Sequence, residues 1–160
     1  MENGAAGAVG IEVSSGRYQT ALLNIWECPE TVRAAVQLLN ADIQAIDPGS
    51  LGRFDVIFCN DVLEHVSDPG EVIRRICLLM SDRPGAFAFV SVWNNRYPGN
   101  VLHEPHYDLP ALGILPHALA KEFYLHCRKG SGLDYEVFHW HDYDYYRSGF
   151  AGFGKDCMIY

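Results

Sequence analysis

The chain has 160 residues, 49% of them hydrophobic and 20% charged, and its 20 Asp and Glu outweigh 12 Lys and Arg for a net charge of −8. That length predicts one domain with a sizeable core, and the acidic balance argues against a nucleic-acid partner, because phosphate binding needs clustered cations. The five cysteines, Cys28, Cys59, Cys77, Cys127 and Cys157, are scattered without a CxxC pair, which reads as reduced thiols. The first residues lack a basic and an apolar signal region, and the longest apolar stretch, AFAFVSVW, is too short to span a bilayer. The expectation is a cytoplasmic protein with no membrane partner.

In chain order, VGIEV at residues 9–13 is a short β-branched run that suits a buried strand. Ser14 and Ser15 offer N-cap oxygens for a helix over 16–27, and Pro29 stops it. The run AAVQLLNAD reads as a strand over 36–39, with a helix from about Thr31 as the alternative. FDVIFCN, residues 54–60, is the clearest strand. SDPGE at 67–71 combines a capping Ser or Asp, a first-turn proline and an early glutamate, so a helix should run to about Leu79. Its inner face should carry Val72, Ile73, Ile76, Leu79 and Met80. Pro84-Gly85 turns the chain into a strand over 86–92. Strand, helix and strand joined by short turns predict a mostly parallel sheet.

Beyond Trp93 the stretch NNRYPGNVLHEPHYDLPALGILP has four prolines, two histidines and no sustained period. It reads as an ordered insertion, because Leu102, Tyr107, Leu109 and Leu112 are available to pack it. A helix over 117–127, a strand over 135–138 and a helix over 142–149 follow, and Met158-Ile159-Tyr160 resembles the start of a further strand.

The segments VGIEV, NADIQ, DVLEHV followed by SDPGEVIRRI, and PGAFAFVSVWN together resemble the class I S-adenosylmethionine-dependent methyltransferases. The similarity is strongest to the small-molecule group that contains the ubiquinone-biosynthesis O-methyltransferases. It runs over about residues 8–94, and the later LHEPHYDLP and HDYDYYRSGF resemble that group's substrate-side insertion and following helix. The implied fold is an α/β, Rossmann-like, parallel-rich sheet with helices on both faces and a Pro-rich insertion after the fourth recognisable strand. The implied organisation is one partial domain, 1–160, with a cofactor core at 8–94, a substrate-side insertion at 95–135 and a C-terminal piece at 136–160.

Gly4, Gly7 and Gly10 precede or enter the first strand and do not form G-x-G-x-x-G. VGIEV therefore resembles the family's second strand, and the expectation is an N-terminally truncated domain whose cofactor affinity and activity are impaired. Exposed sheet edges would then allow self-association.

By resemblance, Glu12 accepts the ribose hydroxyls of S-adenosylmethionine, Asp42 and Ile43 hold the adenine, and Asn60 lies beside the methionine portion. Asp61, Glu64 and His65 match a triplet that some members use for magnesium. The shorter Asp61 side chain and the wide use of the same segment without metal favour the metal-free reading. His103 and His106, in the insertion, are general-base candidates, since an imidazole titrates near neutrality. Trp93, Tyr97 and Tyr107 are candidates for lining a pocket or contacting the sulfonium. The implied function is methyl transfer to a small-molecule acceptor, at oxygen. The alternative is a non-catalytic remnant kept as an interaction module.

Overall fold

β-Branched and aromatic runs alternate with capped amphipathic segments, and the chain folds accordingly. The computed structural model describes residues 4–93, 97–104, 106–128, 135–138 and 141–155. Parallel strands alternate with helices, and the chain divides into two units, Met1–Leu51 and Gly52–Tyr160. The four expected strands pair two by two, as two separate two-stranded parallel sheets.

In the first unit, strand β1 (Ala8–Glu12) leads into helix α1 (Ser15–Trp26), a short helix α2 (Glu30–Arg33), strand β2 (Val36–Asn40) and a one-turn helix α3 (Pro48–Leu51). Ser14 caps α1 by accepting from the Arg17 N–H. Both readings of residues 31–39 hold a part, because a single helical turn precedes the strand. β1 and β2 lie parallel in a register that sets Glu12 opposite Asn40. Asn40 fastens the carboxyl ends of the pair, donating from Nδ2 to the carbonyls of Glu12 (2.7 Å) and Val13 (3.2 Å). No described residue of this unit is buried.

The second unit begins with strand β3 (Val56–Asn60), helix α4 (Pro69–Leu79) and strand β4 (Phe87–Ser91), a βαβ crossover. Phe54, expected inside the strand, instead makes an isolated bridge with Met80 at the end of α4. Asp68 caps α4 through the Glu71 N–H, Pro69 opens it, and Val72, Ile73, Ile76, Cys77 and Leu79 are buried along one side. On β3–β4 the side chains alternate with the pleat. Cys59 is buried, whereas Val56, Phe58, Phe87 and Phe89 share an exposed face on which Phe58 is 70% accessible.

The described part of the insertion is folded. It holds a short helix α5 (Pro98–Leu102), a 3-10 turn (Leu112–Ile114) and helix α6 (His117–Cys127). Leu112, Ala120 and Tyr124 form its buried centre, with Tyr107, Leu109, Leu115 and Tyr135 packed around them. Residues 135–138 are not a strand. They are held by single bonds: the Tyr107 hydroxyl takes the N–H groups of Glu136 and Val137, and the Phe138 N–H donates to the Glu64 carbonyl. With no ladder partner among the described residues, β propensity alone does not make a strand. Helix α7 (Tyr143–Ala151), capped by Asp142, packs against α4 where Gly149 meets Ile73. The expected strand start at 158–160 and the cysteine at 157 lie outside the described residues. No helix among the described residues is long and apolar enough to cross a membrane.

Candidate active site

Parallel strands deliver polar side chains to their carboxyl ends, where open α/β sheets bind ligands. Glu12 closes β1, and its Oε1 accepts from the Ser14 N–H at 2.7 Å, which fixes the carboxylate at the strand end. Asp42 lies two residues past β2. Its Oδ1 accepts from the Gln44 N–H at 2.8 Å, an Asx-type turn, and Ile43 is half-buried beside it. These three residues belong to the first unit; the remaining expected site residues lie in the second.

Asn60 ends β3 and is exposed, opposite Ser91 of β4. The chain then kinks at Asp61, whose φ of 52° is left-handed, a conformation that Asp tolerates better than most residues. Asp61 is tied to the end of β4: its N–H donates to the Ser91 carbonyl at 3.1 Å, and its Oδ1 accepts from the Ser91 hydroxyl at 3.0 Å. The turn after it, closed by the His65 N–H on the Val62 carbonyl, directs Glu64 inward. Glu64 is 2% exposed, and neither of its carboxylate oxygens has a hydrogen-bond partner among the described residues.

His106 comes to Glu64 from the insertion. Its Nε2 lies 3.8 Å from Glu64 Oε1, and its ring meets His65 edge-on at 5.1 Å between centroids. The Trp93 ring, two residues past β4, stands 6.0 Å from the same imidazole. Its indole N–H is buried without a hydrogen-bond partner among the described residues. Thus the insertion histidine is held at the carboxyl ends of β3 and β4.

What holds His106 is Glu104, a fully buried carboxylate. One of its oxygens takes both the His106 N–H and His106 Nδ1, and the other takes the Tyr107 N–H at 2.8 Å. Burial alone would lower the His106 pKa. The hydrogen bond to Glu104 and the charges of Glu104, Glu64 and Asp61 reverse that and raise it. Burial pushes the Glu64 carboxyl up, against the opposing pull of the two imidazoles. His103 takes no part in this group; it is exposed and faces Asp108 at 3.3 Å.

A domain model described as "Methyltransferase domain" matches residues 4–136. The chain belongs to the methyltransferase-domain family. This methyltransferase domain is also similar to curated proteins named "Ubiquinone biosynthesis O-methyltransferase". The relative from Albidiferax ferrireducens is 32% identical over 97 residues, covering 61% of this chain and 36% of the relative. The one from Thiobacillus denitrificans is 34% identical over 88 residues, covering 54% and 35%. A third, from Methylococcus capsulatus, is 33% identical over 102 residues, covering 64% and 40%. The matched part therefore spans well under half the length of these relatives.

The triplet implied by resemblance for magnesium, Asp61, Glu64 and His65, is not the grouping the fold makes. Asp61 is turned to Ser91, and the acid and imidazole atoms within 4.8 Å of one another belong to Glu64, His65 and His106. Sequence reasoning missed Glu104 and Asn40 as organising residues. The alternation His103-Glu104-Pro105-His106 was the available signal for the first, since a carboxylate two residues before an imidazole can turn back on it.

Proposed function

We propose that this methyltransferase domain transfers a methyl group from S-adenosylmethionine to an oxygen of a small-molecule acceptor. The observation that carries the reading is the placement of insertion residue His106 at the carboxyl ends of β3 and β4, against Glu64. That brings the segment expected to choose the acceptor to the sheet rim expected to face the cofactor.

The chemistry supplied by the bound cofactor is an electrophilic methyl on a sulfonium centre. Glu12 suits the ribose, because one carboxylate oxygen is fixed by Ser14 at a strand end and the other can accept from hydroxyls. Asp42 and Ile43 take the adenine, and Asn60 the methionine portion. The domain's own task is then alignment and exclusion of water, and alignment alone contributes on the order of 7–11 kcal/mol to such reactions. His106 acts on the acceptor side, where Glu104 fixes its ring and directs Nε2 toward the site.

The test is calorimetric titration of the full-length protein with S-adenosylhomocysteine, alongside methyl transfer to small-molecule hydroxyl acceptors. Glu12→Ala should weaken binding by about 1–3 kcal/mol, the worth of a lost charged hydrogen-bond partner. His106→Ala should leave that affinity in place and depress methyl transfer at least tenfold. Absence of binding overturns the reading, and an unchanged Glu12→Ala affinity removes that residue from the site.

A further inference from the structure

We propose that Asn40 is a positioning residue for the cofactor, setting the Glu12 carboxylate for the ribose, a role that rests on the assignment of Glu12 proposed above.

The first unit does not hold its strand ends by burial. None of its described residues is buried, and Val13, the residue after Glu12, is 68% exposed. The turn from β1 into α1 therefore takes its shape from polar bonds, and these converge on Asn40. It stands opposite Glu12 at the last rung of the parallel pair. Both ends of its amide are used. Nδ2 donates to the Glu12 carbonyl at 2.7 Å and the Val13 carbonyl at 3.2 Å, while Oδ1 accepts from the Ser15 hydroxyl at 2.9 Å. Carbonyls only accept, so they fix which way round the amide sits. Asn40 thus joins the end of the strand to the first residue of the helix.

Peptide planarity carries this grip to Glu12. The Val13 carbonyl and the Ser14 N–H belong to one peptide plane and, in the trans form, point in opposite directions. Holding the carbonyl on Nδ2 therefore aims the N–H, and that N–H donates to Glu12 Oε1 at 2.7 Å. The Glu12 carbonyl is held a second time, by the Ala41 N–H at 3.1 Å. The main chain on both sides of Val13 is set, and the direction of the carboxylate with it. A carboxylate that is to meet two neighbouring hydroxyls gains from being held beforehand, because ordering it at the moment of binding costs affinity. Aspartate at position 40 has the same size but no amide hydrogens, and would set an oxygen against both carbonyls.

The experiment is a double-mutant cycle on the full-length protein, read by calorimetric titration with S-adenosylhomocysteine and by NMR amide exchange of the ligand-free protein. Asn40→Ala should weaken binding about five- to tenfold in the wild-type background, and less than about twofold beside Glu12→Ala. Without ligand, the Ser14 amide of Asn40→Ala should exchange at least about tenfold faster, with smaller changes along the β1–β2 ladder. A merely structural part for Asn40 would give the same loss in both backgrounds, and that result overturns the proposal. Unchanged affinity or unchanged Ser14 exchange does so too. Circular dichroism checks each variant; if Asn40→Ala fails to fold, Asn40→Asp decides by the same comparison. A wild type that binds no S-adenosylhomocysteine overturns the methyltransferase reading and this role with it. Wild-type binding without the coupling overturns this role alone.

Discussion

Glu71 is shared between two guanidinium groups on the exposed side of α4. Arg74 and Arg75 both bond its carboxylate, at distances of 2.6–2.7 Å. The Arg74 hydrogen bond is the largest cause, against the opposing cost of burial and with help from Arg75, of a Glu71 pKa held down at about 2. A carboxyl depressed in the folded state contributes stability above its unfolded value, and that stability is lost as pH falls toward the folded one. Glu71→Gln should therefore lower the melting temperature near neutral pH, and the gap to wild type should close between about pH 4.5 and pH 2 in thermal scans. Cys59 behaves oppositely. Burial first, then the charges of Glu64 and Asp61, pushes its thiol up to about 12. Iodoacetamide at pH 8 should modify the exposed Cys127 and spare Cys59, read by peptide mass. At this scale the sequence placed Glu64 and His65 side by side and offered His106 as a general-base candidate. It did not show that His106 replaces Asp61 beside them. That grouping depends on the fold of the insertion, which carries no period to read.

Caps and periodicity made the elements legible. Ser14, Asp68 and Asp142 each accept from the backbone N–H three residues on, as side chains that start helices do. The helix at Pro69–Leu79 buries the side expected of it, Met80 falling just beyond its end. Residues 135–138 were misread because Tyr, Val and Phe favour strands only where a ladder exists, and here a tyrosine hydroxyl takes two of the N–H groups. The packing of α7 on α4 was not legible either, since nothing local marks Gly149 as a contact. A Cβ there would stand 3.0 Å from Ile73 Cδ1, and Ile73 is itself buried. Gly149→Val should cost about 1–3 kcal/mol in urea denaturation by overpacking. Ile73→Val should recover part of it in the double variant, with a coupling of at least about 0.5 kcal/mol. Strict additivity would show that the two helices give way to each other freely.

Each parallel pair closes across its own helical crossover, so each unit holds its sheet by contacts made within it. The alternation of strand and helix predicted the parallel direction of both pairs. That two pairs form in place of one four-stranded sheet was not legible, because strand patterns identify faces and not neighbours. The two units differ sharply in their interiors. The buried side chains, from Cys59 to Phe150, all lie in the second, and none of the described residues from 4 to 51 joins them. Amide hydrogen exchange should register the contrast: α4 and β3 exchange slowly, through rare large openings, while β1, α1 and β2 exchange through frequent small ones. Equal protection in both would contradict this. Glu12 and Asp42, the acids proposed for the cofactor, stand on the loosely sealed unit, so capture of a nucleoside by them would also be an act of ordering. A bound S-adenosylhomocysteine should slow exchange over residues 8–40 by a factor that grows with ligand concentration relative to Kd. The acids proposed for the cofactor stand on the part of the chain whose motions a ligand would have most scope to quieten.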